Sequence, residues 1–180
     1  MTITVAERSR LLMPGMANFE PGVERYRVTG GAVTAVLMGA GDKLEIIDPE
    51  GCQPVEVAAF DRDGKSDPGL LGHSSGAPAT GIAAILAGNQ HDASRVADAL
   101  ALRGIDLGAT TAIHCFSQDS APAETIWMTA STDVVCVIGV PGGDMSPEEQ
   151  NTPTDVIAFI HRTAPPAPDR KSTRLNSSHT

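Results

Sequence analysis

Residues 43–60 read Lys-Leu-Glu-Ile-Ile-Asp-Pro-Glu-Gly-Cys-Gln-Pro-Val-Glu-Val-Ala-Ala-Phe, and the fold class follows from them. Residues 43–47 are apolar-rich and bracketed by turn formers. Gly41-Asp42 precedes them and Asp48-Pro49-Glu50-Gly51 follows, with proline at the second turn position, where its fixed φ is favoured. Residues 54–60 then alternate, with Val55, Val57 and Ala59 on one face and Glu56, Ala58 and Phe60 on the other. Two short strands therefore flank one tight turn. Upstream, residues 24–29 end at Gly30-Gly31, and residues 32–38, rich in β-favouring side chains, stop at Gly39. Short strands at close spacing, punctuated by Gly and Pro, predict a sheet that packs as a sandwich or curls into a barrel.

Downstream the pattern changes. Residues 61–79 have no period and read as a long loop, and residues 80–87 predict a short helix ended by Gly88-Asn89. The strongest helix signal follows: Asp92 as N-cap, Val96, Ala99, Leu100 and Arg103 at helical spacing, and Gly104 at the C′ position. Strands resume at 111–116, 124–129, 133–140 and 155–162, with a one-turn helix start at Ser146-Pro147-Glu148-Glu149 between the last two. The reading is a mainly β domain, barrel- or sandwich-like with about eight strands and one or two inserted α-helices, over residues 23–163. Residues 1–22 form an arm, and residues 164–168, Ala-Pro-Pro-Ala-Pro, a proline-rich linker. Residues 169–179, DRKSTRLNSSH, match the translation of a common sequencing adapter, whose GATCGGAAGAGC encodes Asp-Arg-Lys-Ser. Residues 169–180 are therefore set aside, His179 with them, and the genuine chain is expected to continue past Pro168.

Composition excludes several functions. The 180 residues are 41% hydrophobic and 19% charged, enough for one core-bearing domain. Thirteen basic residues against 22 acidic ones give a net charge of −9. That balance opposes nucleic-acid binding, which runs on Lys and Arg releasing counterions. One Trp, one Tyr and four Phe leave little for bases to stack on. The opening MTITVAERSRLLMPGM lacks the apolar run of a signal peptide, and no later stretch approaches the ~20 apolar residues of a membrane span. Cys52, Cys115 and Cys136 are odd in number and widely spaced, which predicts free thiols in a reducing cytoplasm.

No strong catalytic signature is present: His-Glu-x-x-His, Gly-x-Ser-x-Gly and the phosphate-binding Gly-x-x-x-x-Gly-Lys-Ser/Thr loop are all absent. His73, His91, His114 and His161 are scattered. His114 and Cys115 are adjacent on a predicted strand and point to opposite faces, so His91, Cys115 and a carboxylate make only a weak zinc set. The most organised constellation is Asp48, Glu50, Gln53 and Glu56 around one turn. Either Asp48 or Glu56 acts there as a general base or ligand with Gln53 orienting a substrate, or Asp48 bonds its own turn while Glu56 is solvated.

This turn resembles the motif of the urea-carboxylase-associated family: an apolar strand, then Asp48, Glu50, Gly51, Gln53, Glu56 and Phe60. The resemblance reaches from about residue 31 to 162, through DVVCVIGVP and Asn151, Pro153, Thr154 and Asp155, with Val140-Pro141 where the family carries Cys-Pro. It implies a β-rich, barrel-like domain of unknown function. The openings MPG and ERYRVTGG and the APPAP connector are similar to the first copy of this domain in glycine cleavage T-protein-like aminomethyltransferases. That likeness implies a non-catalytic accessory N-terminal domain of a folate-dependent one-carbon transferase. Downstream domains of the same polypeptide would be its partners, and tetrahydrofolate would bind beyond Pro168, with no cofactor in this stretch. The alternative it implies is a zinc-dependent amidohydrolase or deiminase acting on a urea- or guanidine-like compound, with His91, His114 and Cys115 as weak metal candidates. A small-molecule sensor with its pocket at a barrel mouth is a third expectation.

Overall fold

The computed structural model describes residues 22–88, 90–142 and 152–163, which form nine strands and two α-helices. The strands are β1 (Val23–Val28), β2 (Val33–Met38), β3 (Lys43–Asp48), β4 (Val55–Phe60), β5 (Ala77–Pro78), β6 (Thr111–Cys115), β7 (Glu124–Thr129), β8 (Val134–Gly139) and β9 (Val156–His161). The helices are α1 (Thr80–Ala87) and α2 (His91–Ala101). All pairings are antiparallel, in one sheet of order β1-β9-β3-β7 and one of order β2-β8-β4-β6-β5. The two sheets face each other as a sandwich, not a closed barrel, so there is no barrel mouth to hold a sensor pocket.

From β1 to β4, and again from β6 to β9, each strand lies in the sheet opposite its predecessor. The Gly- and Asp-rich turns are therefore corners between sheets rather than hairpins. At the first corner a Cβ on Gly30 would sit 2.3 Å from the Pro153 carbonyl oxygen, so only glycine lets these backbones approach.

Two apolar cores result. Between the sheets lie Val36, Leu44, Ile46, Val55, Val57, Ala59, Ile113, Met128, Cys136, Ile138, Val156, Ala158 and Ile160. On the outer face of the five-stranded sheet, Ala58, Phe60, Ala112 and Val137 pack beneath Ile82 of α1 and Ala93 and Leu100 of α2. Strand β4 serves both, which is why all six of its residues are buried although they alternate in character. Burial of Phe60 at 0% exposure shows how fully the helices cover this face.

The local expectations for α2 need one adjustment. The helix begins at His91 with Gln90 as its N-cap and no side-chain cap bond, so Asp92 sits in the first turn, where its charge meets the positive helix end. Its far end is as expected. Gly104 is left-handed (φ 71°), the Gly104 N–H bonds Ala101 O, and the Ile105 N–H bonds Leu100 O, a Schellman closure sealed by buried Ile105. The 61–79 stretch holds a 3-10 turn at Pro68–Leu71 and strand β5, which alternation cannot reveal in two residues. The expected helix start at Ser146, the arm before residue 22 and the segments 164–168 and 169–180 lie outside the described residues.

Candidate functional site

Asp48 ends β3 fully buried, and its carboxylate is spent on the corner that follows. Its Oδ1 accepts from the Gly51 N–H at 2.9 Å, and its Oδ2 accepts from the Gln53 N–H at 3.0 Å and the Ser120 hydroxyl at 3.2 Å. Three donors satisfy a buried charge, as such a charge requires. The corner is tight: Gly51 has φ 82°, and a Cβ there would sit 2.8 Å from Pro122 N and Ser120 O. Glu50, one residue before it, is exposed.

Gln53 is buried and pins three chain segments together. Its Nε2 donates to the carbonyls of Pro54 (2.7 Å) and Pro141 (2.8 Å), while its Oε1 accepts from the Thr154 N–H at 2.7 Å. Glu56 faces the helices. Helix α1 starts after Ala79, a residue with no side chain able to cap, and the Glu56 carboxylate supplies what is missing. Its Oε1 accepts from the Gly81 N–H at 2.9 Å and its Oε2 from the Ile82 N–H at 2.8 Å. These are orphan donors at the positive end of the helix. Glu56 is thus buried rather than solvated.

Of the weak metal candidates, His114 lies across from Glu56 in the β4–β6 register, with Nε2 4.0 Å from Glu56 Oε1 and 3.3 Å from the Pro78 carbonyl oxygen. Its ring is about half exposed, so among the weak metal candidates it is the one that lies both near a buried carboxylate and open to solvent. Cys115 faces the opposite way, into the core between the sheets, where burial pushes its thiol up to about 12. Cys136 is raised likewise, and neither supplies a thiolate near neutrality. His91 opens α2 in an exposed position. Among the described residues no three His, Cys, Asp or Glu side chains are grouped so as to hold a metal ion. The zinc of the alternative expectation therefore does not fit the described residues.

A second charged cluster escaped the sequence reading. Arg162, just past β9, forks onto both Glu24 oxygens (2.9 and 2.8 Å) and reaches Asp42 Oδ2 at 2.8 Å and the Leu37 carbonyl at 2.7 Å. Tyr26 adds a hydroxyl bond to Glu24 at 2.6 Å. The Arg162 hydrogen bonds hold the Glu24 carboxyl below the usual carboxylate range. For Asp42, burial pushes upward, but the Thr163 N–H, Arg162 and the Gly39 N–H outweigh it and leave that carboxyl low as well. Nothing local flags this cluster, because Arg162 lies 138 residues from Glu24 and 120 from Asp42. Beside it an open groove of about 480 Å³ runs between β2, β8 and the end of α2, with Leu37, Phe60, Ile105 and Val135 along it and Arg62 and Arg103 at its rim.

Fold and site together define an antiparallel two-sheet sandwich, roofed by helices on one sheet, whose acidic corner is built into the framework. No family model matches the chain. In sequence it is similar to the trimethylamine-oxide aldolase of Ruegeria pomeroyi, at 34% identity over 155 residues, 86% of this chain and 20% of that protein. The chain thus spans about a fifth of the length of the curated relative it matches. Among solved structures it is similar to a DUF1989 family protein from Silicibacter pomeroyi, with a TM-score of 0.45, 14% identity and coverage of 85% of this chain and 87% of that one. That likeness is too distant to carry an argument.

These findings overturn the aminomethyltransferase expectation. The matching relative is named a trimethylamine-oxide aldolase, not a folate-dependent one-carbon transferase or a zinc amidohydrolase. The relative's name does not carry the urea-carboxylase-associated label of the family resemblance. No helix of the described residues is long and apolar enough to cross a membrane.

Proposed function

We propose that this chain is a segment of a trimethylamine-oxide aldolase-like enzyme. The observation that carries the reading is the 34% identity to such a protein across 86% of the chain. All carbons of trimethylamine oxide are N-methyl carbons, so an aldolase acting on it can release only formaldehyde, leaving dimethylamine, and the atoms balance without a co-reactant. Such a step moves a proton. Within this segment Asp48 and Glu56 spend their carboxylate oxygens on backbone N–H groups and a hydroxyl. His114, half exposed beside Glu56, is an imidazole of this segment that a bound molecule could reach.

The test uses the full-length protein that carries this segment, incubated with trimethylamine oxide. Formaldehyde and dimethylamine should appear in equal amounts, and absence of formaldehyde would refute the reading. A His114→Asn variant that stays folded and lowers kcat about a hundredfold would place the imidazole in the chemistry. An unchanged rate would leave the aldolase reading intact and remove His114 from it.

A further inference from the structure

A sheet edge is an unpaired row of backbone donors and acceptors, and proteins blunt such edges with charge, proline, shortness or cover. Three of the four edges here are blunted. Strand β1 carries Glu24, Arg25 and Arg27, β5 is two residues long and includes Pro78, and β7 runs beside the 3-10 turn Pro68–Leu71. The fourth edge, β2, reads Val-Thr-Ala-Val-Leu-Met, with neither charge nor proline, and β8 is its one strand partner among the described residues. The Val140 N–H bonds the Ala32 carbonyl, so by the two-residue period Thr34, Val36 and Met38 turn their backbone groups to β8. The N–H and C=O of Val33 and Ala35, and the Leu37 N–H, therefore point outward. On that side the Leu37 carbonyl is taken by Arg162 at 2.7 Å.

Helix α2 runs alongside this edge and leaves a groove. One stretch, of about 460 Å³, is lined by Val33 and Ala35 of β2 and by Arg95, Val96 and Ala99 of α2. A narrower one passes Leu37, Leu100 and Arg103 and leads into the groove of about 480 Å³ beside Arg162. Arg95 and Arg103 are both exposed at its side. Arg95 makes no ion pair among the described residues, and Arg103 reaches the Ala99 carbonyl at 3.4 Å but no carboxylate. Against them stands Asp92, one turn before Arg95, as the carboxylate of the first stretch. In the second, Asp133 is paired with Arg62, and Asp61 accepts from the N–H groups of Asp63 and Lys65. The groove thus offers two uncommitted guanidinium groups on a chain whose net charge is −9.

We infer that the open edge of β2 receives an extended peptide as an added strand, with acidic side chains four residues apart on the face toward α2. Main-chain bonds to Val33, Ala35 and the Leu37 N–H supply affinity, and the alternate side chains supply specificity. The spacing follows from the two geometries. Arg95 and Arg103 stand about 12 Å apart at 1.5 Å per helical residue, and two strand positions four residues apart are separated by about 13 Å. The side chain midway between the two acids lies over Ala35 and Ala99 and is therefore apolar. A second copy fits worse, because its own β2 brings no acid to these arginines and antiparallel self-pairing sets the arginines against one another. The contact is salt-sensitive, since both cations are at the surface.

The test needs two peptides of one composition. The full-length protein that carries this segment is titrated into fluorescein-labelled Thr-Glu-Thr-Val-Thr-Glu-Thr, blocked at both ends, while polarisation is followed. The isomer Thr-Glu-Thr-Val-Glu-Thr-Thr puts its two acids on opposite faces of a strand. The first peptide should bind saturably, about tenfold more tightly than the isomer, and more weakly as salt is raised. Amide hydrogen exchange at Val33, Ala35 and Leu37 should slow several-fold when it binds. Arg95→Gln, at an exposed and unpaired position, should weaken binding several-fold without unfolding the protein. No binding, equal affinity for the two isomers, or binding without protection at β2 would each overturn the inference. So would exchange at these three amides that slows with protein concentration alone, since a second copy would then hold the edge. The isomer needs no variant, so misfolding cannot mask the answer.

Discussion

Asp48 illustrates how much one side chain can decide. A carboxylate with three donors and no exposure is a structural anion, and its replacement by asparagine would turn one acceptor into an amide facing the Gln53 N–H and the Ser120 hydroxyl. Such a mismatch leaves buried donors unpaired, so Asp48→Asn should cost about 2 kcal/mol, read as a lowered urea midpoint at unchanged slope. The residue types of the corner are equally those of a catalytic acid–base set. What separates the two roles is where the lone pairs go, and that depends on Ser120, which is 72 residues away. Gln53 makes the same point. Its amide ties Pro141 and Thr154 to the corner, and neither partner is visible from the turn's own sequence.

At the scale of elements, the periodic signals carry far. The alternation in β4 and the apolar spacing of α2 are local properties of a chain that must bury one face. The glycine closing α2 is local too. Gly104 has φ 71° with nothing within 4 Å of a built Cβ, so Gly104→Ala would meet no clash and pay only the left-handed penalty. Thermal or urea unfolding should report a loss of about 1 kcal/mol. The start of α1 is the opposite case. Ala79 is no cap, yet the helix starts there because Glu56, 25 residues from Gly81 in sequence, brings its carboxylate under the first turn. A helix N-terminus capped from a neighbouring sheet carries no capping signature of its own.

For the whole molecule, the Arg162 cluster clamps β1, the β2–β3 corner and the end of β9. Glu24 and Asp42 both have folded-state carboxyls held below their ordinary values, so each contributes stability that is present above the unfolded value, about pH 4, and is lost as pH falls through the folded one. The melting temperature should therefore fall as the solution is acidified below about pH 4. Arg162→Met should destabilise the protein most near neutrality, and the gap to the parent should close on acidification as both carboxylates are protonated. A gap that stays constant with pH would mean the arginine acts through packing alone.

Strand positions other than β5, the faces of β4 and the two helices were settled by the order of residues along the chain, because alternation and helical spacing are local quantities. Pairing was not. The Gly- and Asp-rich turns read alike whether the chain folds back as a hairpin or crosses to the other sheet, and it is contact between distant strands, such as β3 with β9, that makes them crossings. The same holds for chemistry. Asp48, Gln53 and Glu56 could be picked out as polar groups at one turn, but only the packed structure assigned their oxygens and amides to the Ser120 hydroxyl, the Thr154 N–H and the first turn of α1. A hydrogen bond is a short-range, directional contact, and its partners are fixed when the fold brings remote segments to about 3 Å.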